Sequence, residues 1–270
     1  GLVKIDELKK AIQSNTVLVS IMYVNNEVGT VQPIEKIGKI IEEIKENRKQ
    51  KSFDFPVYFH TDAVQAANFF SCDIEKLKVD LLSLSGHKIY GPKGVGILFV
   101  KKDVPLKAIQ LGGHQENGLR SGTLNVPGIV GMGEALILAL KRREKTFKKV
   151  EKIRNLLLSE IEKNISNIIF NGDLENTSPS HANIIFKGVE GESILLDLDF
   201  ENIFVSTGSA CASGSLKASP VILAMGVSKE DAHGAIRFSL GKNNTEEEVL
   251  RVAKILPTIV ERFRNMAPKL

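Results

Sequence analysis

The run Val17-Leu-Val-Ser-Ile-Met-Tyr-Val24, followed ten residues later by Ile34, Ile37, Ile40, Ile41 and Ile44, decides the fold class. The first is a buried strand by length and composition, and the second places five isoleucines on one face of a helix over Ile34 to Asn47. Working outward, Asp6 precedes a helical stretch from Glu7 to Ile12, and short apolar strands recur at Val57 to Phe59, Leu81 to Leu84 and Gly96 to Val100. A helix or a turn-rich link separates each from the next. This alternation predicts an α/β domain built on a mostly parallel sheet. Between Pro105 and Pro127 the pattern dissolves into Gly, Ser, Arg and Asn, too polar and too rich in special residues for a mere connector.

A long helical pattern from Gly128 to Asn164, with Leu136, Leu140, Val150, Ile153, Leu157 and Ile161 among many charges, leads into a second domain. The boundary is placed near Ala135, giving domains 1–135 and 136–270. The second is expected to hold strands at Asn167 to Phe170, Asn183 to Phe186 and Ala235 to Leu240. Its helices are expected at Glu192 to Leu198, Pro220 to Met225 and Thr245 to Met266, as a smaller α+β layer. Periodicity does not order the strands.

Composition bounds what such a chain does. With 270 residues, 43% hydrophobic and 25% charged, it has the make-up of an ordinary folded protein, which excludes collagen-like, low-complexity and disordered classes. Lys and Arg total 36 against 32 Asp and Glu, spread along the chain, so neither a nucleic-acid nor a polybasic membrane footprint is present. The longest apolar stretches are strand-sized. Two cysteines, Cys72 and Cys211, are too few for a disulfide framework and point to a reducing, cytoplasmic compartment.

The densest chemistry lies in Ser83-Leu-Ser85-Gly86-His87-Lys88-Ile-Tyr-Gly91-Pro92-Lys93-Gly94. A lysine directly after a strand, preceded by a hydroxyl and an imidazole, suits a Schiff-base amine, which must be held from bulk water to lose its proton. The competing reading is a solvated loop lysine. A phosphate-loop reading fails, because Pro92 stands where Gly-Lys-Ser/Thr is required, and Gly91 to Gly96 does not match the dinucleotide fingerprint. The strand ending in His60-Thr-Asp62-Ala-Val-Gln65 puts a carboxylate at the carboxyl end of the sheet, where α/β ligands bind. Asp62 suits the ring nitrogen of pyridoxal phosphate or, equally, a helix cap. A metal site from His60 and Asp62 with His87 or His114 lacks a third ligand at a familiar spacing, so no metal is assigned.

Cys211 lies in Ser206-Thr-Gly208-Ser-Ala-Cys211-Ala-Ser-Gly214-Ser215, where nothing is larger than threonine or cysteine. Such a stretch packs no core, and a cysteine there reads as a reactive thiol rather than a buried one. Arg237, inside the apolar strand Ala235 to Leu240, needs either a substrate carboxylate or an internal salt bridge. Arg120, in a glycine-rich loop, reads as a solvated or anion-binding residue.

Taken together, Asn25-Asn26-Glu27-Val-Gly29-Thr30, His60-Thr-Asp62-Ala-Val-Gln65, Ser85-Gly-His87-Lys88, Gly112-Gly-His-Gln-Glu116, Leu119-Arg-Ser-Gly-Thr123 and Ser209-Ala-Cys211 resemble the cysteine desulfurases of the iron-sulfur assembly type. These belong to the class V aminotransferases. The resemblance runs over essentially the whole chain and implies a fold type I pyridoxal-phosphate enzyme that forms a homodimer. It implies that Lys88 holds the cofactor, Asp62 pairs with the pyridine nitrogen, and Gln65 contacts the ring oxygen. Ser85 and His87 would bind the phosphate, and Thr123 the phosphate of the partner subunit. Asn26 and Arg237 would hold the carboxylate of the substrate, L-cysteine, with Asn26 also at the cofactor. Cys211 would be the nucleophile that takes sulfur as a persulfide and releases alanine. The Ser209-Ala-Cys211-Ala sequence looks like the long-loop branch, which hands sulfur to an iron-sulfur scaffold protein or another acceptor.

The resemblance also implies a further third of a chain before the point where Gly1 aligns, supplying a ring-stacking histidine and an Ala-Thr-Glu-Ser-like phosphate loop. The expectation is that the chain starting at Gly1, which has no initiator methionine, lacks that N-terminal third and holds the cofactor more weakly. Two other readings stay open at this level. One is a selenocysteine lyase or another cofactor-dependent lyase, and the other is a non-catalytic fragment that binds partners.

Overall fold

The computed structural model describes residues 1–51, 55–208 and 218–266. The described residues divide into two compact units. One comprises Val3–Tyr23 and Gln32–Arg143; the other comprises Gly1–Leu2, Val24–Val31 and Glu144–Leu270.

In the first unit the elements run α1 (Ile5–Ala11), β1 (Leu18–Met22), α2 (Ile34–Gln50), β2 (Tyr58–Asp62), α3 (Ile74–Leu77), β3 (Leu81–Ser85) and β4 (Gly96–Val100). The sheet order is β1-β2-β3-β4, with β1, β2 and β3 parallel and β4 antiparallel to β3. The parallel links are the ones that contain α2 and α3, because a parallel return needs a crossover, whereas the short turn from Gly86 to Val95 is enough for the antiparallel step. Ile34, Ile37, Ile40 and Ile41 of α2 are buried, as the sequence spacing predicts. Gly38 interrupts that row where α2 meets the carbonyl of Leu77, and a Cβ there would collide with it.

The 39-residue α4 (Val126–Asn164) begins with Asn125 Oδ1 accepting from the Gly128 N–H at 3.1 Å, an ordinary side-chain cap. Met132 and Ala135 of this helix pack with Ala67 and Ile89 in a small cluster of the first unit.

The second unit holds a three-stranded antiparallel sheet, β5 (Ile168–Phe170), β6 (His181–Phe186) and β7 (Ala235–Ser239), in the order β5-β6-β7. Its helices are α5 (Gly191–Phe200), α6 (Pro220–Ala224), α7 (Lys229–His233) and α8 (Glu246–Met266). Every residue of β6 is buried, which a strand between two others and under helices requires. The core gathers Ile184, Phe186, Ile194, Leu198, Ile236 and Leu256 with Leu157 and Ile161 of α4. The fold is α/β. The sequence located these elements to within a few residues and missed the one-turn α3 and α7.

Candidate active site

In the first unit, β2 and β3 are adjacent and parallel, with Asp62 in register with Ser83, so both strands end at the same edge of the sheet. Two groups stand there. Asp62 closes β2, and its Oδ1 accepts from the Val64 N–H at 2.9 Å. Its carboxylate therefore caps a turn that carries Gln65, rather than a helix, and both residues are half-buried. β3 ends in Ser85, and a one-turn 3-10 helix from Gly86 to Ile89 follows.

That turn explains where the side chains point. At three residues per turn, Gly86 and Ile89 share one face. Both are buried, so His87 and Lys88 are turned outward and are exposed. A Cβ at Gly86 would approach the Pro92 carbonyl and the Val95 side chain to 2.9 Å, so only glycine lets the chain fold back this closely. Ser85 Oγ and His87 Nδ1 lie 2.8 Å apart, and the Asn68 amide donates to the Lys88 carbonyl at 2.6 Å. The sequence argument called for a sheltered Lys88. Its exposure is a difference that the 3-10 geometry accounts for.

A row of polar side chains crosses this face of the sheet. Ser20 Oγ lies 2.8 Å from His60 Nδ1, and His60 Nε2 lies 2.9 Å from Ser83 Oγ, linking three strands. Burial lowers the His60 pKa below the ordinary imidazole value, with Asp62 pulling the other way. Both ring nitrogens are engaged by hydroxyls, and among the described residues no three His, Cys, Asp or Glu side chains cluster as metal ligands would. Thr123 and Arg120 are exposed in the polar loop, where Ser121 is buried and its hydroxyl reaches the Gln110 and Leu111 carbonyls at 3.1 and 3.0 Å.

The second unit holds the other candidates. Arg237 Nη1 donates to the Asn26 carbonyl at 2.9 Å and to the Gly208 carbonyl at 3.3 Å, while Nε donates to Ser239 Oγ at 3.2 Å. Asn26 and Arg237, 211 positions apart and paired by the family resemblance as carboxylate-binding groups, are joined directly, through the Asn26 backbone carbonyl. Asn26 sits in the Asn25 to Thr30 turn, where Asn25 Oδ1 accepts from the Glu27 and Val28 N–H groups at 2.8 and 3.0 Å. Cys211 lies outside the described residues. Cys72 is a free thiol whose pKa burial pushes up to about 11.

Sequence reasoning missed the polar network around this turn. Glu27 is buried, Asn183 Nδ2 donates to its carbonyl at 3.1 Å, and Ser219 Oγ donates to its carboxylate at 2.5 Å. One signal was available, since Glu27 is the only charged residue from Val17 to Ile34.

Residues 1–252 match the aminotransferase class-V family. The chain belongs to that family. It is 45% identical over 268 residues to a cysteine desulfurase IscS of Dictyoglomus turgidum (strain DSM 6724 / Z-1310), covering 99% of this chain and 65% of that protein. The solved structure of a NifS-like protein superposes with a TM-score of 0.84 at 39% identity, covering 97% of this chain and 66% of that one. SspA in complex with cysteine superposes with a TM-score of 0.71 at 33% identity, covering 90% and 64%. The chain therefore spans just under two thirds of the length of these relatives.

Proposed function

We propose that the chain works in a pyridoxal-phosphate-dependent cysteine desulfurase, which converts L-cysteine to L-alanine and passes the sulfur, as a persulfide on Cys211, to an acceptor. The acceptors are iron-sulfur scaffold proteins or the machinery of tRNA thiolation. One observation carries the reading: Asp62 and the Ser85-Gly86-His87-Lys88 turn leave adjacent parallel strands at the same sheet edge, the place where α/β folds bind ligands. The names of the relatives and the cysteine-bound SspA point to the same substrate.

The donor set fits the cofactor. An acid is needed for the ring nitrogen, a hydroxyl and an imidazole for the phosphate, and an amine for the aldehyde, and Asp62, Ser85, His87 and Lys88 are those groups. When bound, pyridoxal phosphate supplies an electron sink that lets bonds at the substrate's carbons break. Asp62 would keep a proton at the ring nitrogen, and Gln65 would meet the ring oxygen. Ser85 and His87 would hold the phosphate, and Thr123 would reach the phosphate of the partner subunit in a homodimer. Lys88 holds the cofactor and moves protons at the substrate's α-carbon. Asn26 and Arg237 orient the substrate carboxylate. The Cys211 thiolate forms an S–S bond as the substrate's C–S bond breaks, the sulfur becoming oxidised to the sulfane level and the carbon taking a proton to leave as alanine. Among the described residues no helix is long and apolar enough to cross a membrane, and the scarcity of cysteine favours a cytoplasmic site.

The test combines spectra and product. The protein turns yellow with pyridoxal phosphate, and Lys88→Ala abolishes that absorbance; an unchanged spectrum would show that another amine is the one used. Cys211→Ser keeps the colour and loses the persulfide, and full cysteine turnover in that variant would refute the thiol's role. Alanine release from cysteine set against selenocysteine separates a selenocysteine lyase.

A further inference from the structure

A carboxylate that is 4% exposed, as Glu27 is, costs several kcal/mol to bury unless it is hydrogen-bonded. Its partner is specified by proton counting. Ser219 Oγ accepts from the Val221 and Ile222 N–H groups at 3.2 and 3.3 Å, so its single proton is directed at Glu27 Oε2, 2.5 Å away. The backbone of Glu27 is held as well, through the Asn183 amide on its carbonyl and Asn25 Oδ1 on its N–H. Asn183 stands directly opposite Arg237 in the β6–β7 register.

The same carboxylate lies close to the other end of the arrangement. A Cβ at Gly208 would lie 3.7 Å from Ser219 Cβ and 3.8 Å from Glu27 Oε2. Gly208 and Ser219, which bracket Cys211 in the sequence, are therefore neighbours across Glu27. The two carbonyls that accept from Arg237 Nη1 belong to Asn26, adjacent to Glu27 in the chain, and to Gly208, beside its carboxylate.

We infer that Glu27 is a positioning residue: by tying Ser219 to the Asn25 to Thr30 turn, in which its own backbone is held, it sets the Asn26 and Gly208 carbonyls that aim the Arg237 guanidinium at a carboxylate ligand. The inference rests on the proposed reading of Arg237 as the group that grips the substrate carboxylate. Glu27 touches no reacting atom, and its effect is exerted through Arg237.

L-Alanine, which has the substrate's carboxylate and no thiol, is the probe, titrated calorimetrically into the cofactor-loaded protein. Glu27→Ala and Ser219→Ala each remove the link from one side and are expected to weaken L-alanine binding by about tenfold, the scale of one hydrogen bond to a charged group. Glu27→Gln keeps an acceptor for Ser219 and is expected to restore most of that loss. Cofactor absorbance stays unchanged throughout. The inference is overturned if Glu27→Ala and Ser219→Ala bind L-alanine within twofold of the wild type, or if cofactor absorbance falls in proportion to L-alanine binding. Where Glu27→Ala does not fold, Ser219→Ala decides. A wild-type protein that binds the cofactor but not L-alanine would refute the reading of Arg237 instead. Amide hydrogen exchange at Val221 and Ile222, which needs no ligand, then judges the link: faster exchange in Glu27→Ala, restored in Glu27→Gln, upholds it, and unchanged exchange overturns it.

Discussion

The two groups of candidate residues are built in opposite ways. In the first unit, Asp62, Ser85, His87 and Lys88 stand at the ends of neighbouring parallel strands, partly or fully exposed, with local hydrogen bonds such as Ser85 to His87 and Asp62 to Val64. In the second, Asn26, Asn183, Ser219 and Arg237 come from four separate stretches, and their links span more than 150 positions, with Asn183, Glu27 and Ser219 buried. The first arrangement leaves side chains accessible to a ligand on a rigid strand end. The second fixes one guanidinium through a polar interior, where every group must be satisfied. Chemistry borne on strand ends therefore tolerates substitution structurally, while the polar interior of the second unit is tied to folding.

The largest effect expected from that contrast is on stability. Phe186→Ala, in the core of the second unit, is expected to cost about 3–5 kcal/mol in denaturant unfolding, whereas His87→Ala, exposed in the first, should leave the midpoint nearly unchanged. If both variants unfold alike, the distinction between the two regions is wrong. Next, Asp62→Asn removes a charge without changing shape and should lower the rate of alanine release by about 10²- to 10³-fold, the scale for one preorganised electrostatic partner, with the melting temperature preserved.

The cysteines sharpen the comparison further. With its pKa raised to about 11 by burial, Cys72 is overwhelmingly protonated at pH 7 and far less reactive than an unperturbed thiol. Iodoacetamide should accordingly modify Cys211 alone at neutral pH, as mass spectrometry would reveal, and rapid alkylation of Cys72 would contradict its burial. The smallest effect concerns His60. Its pKa is lowered in the folded state chiefly by burial, so the unfolded chain binds more protons below about pH 6.5 and stability falls as pH drops through that range. His60→Gln should flatten this part of the curve of unfolding free energy against pH.

Much of the candidate site at the strand ends was legible in the sequence because its residues are local. Ser85 to Lys88 occupy four consecutive positions, and Asp62 closes a strand whose apolar residues are recognisable. The exposure of Lys88 was not legible, since it follows from the 3-10 turn that buries Gly86 and Ile89 instead. Nor was the Asp62 turn distinguishable from a helix cap, because both begin with the same side-chain contact to a backbone N–H. The network of Glu27, Asn183 and Ser219 escaped for another reason: the isolated charge of Glu27 marks a position but names no partner, and only contacts across some 150 to 190 positions give these residues a role.

By itself the sequence determined the α/β alternation, the strands and the longer helices, because side-chain periodicity and short-range turn chemistry are properties of neighbouring residues. Strand order, the antiparallel placement of β4 and the joining of Asn26 to Arg237 were decided by tertiary structure alone. These depend on which distant backbone groups pair once apolar surface is buried, and no window of adjacent residues contains that information.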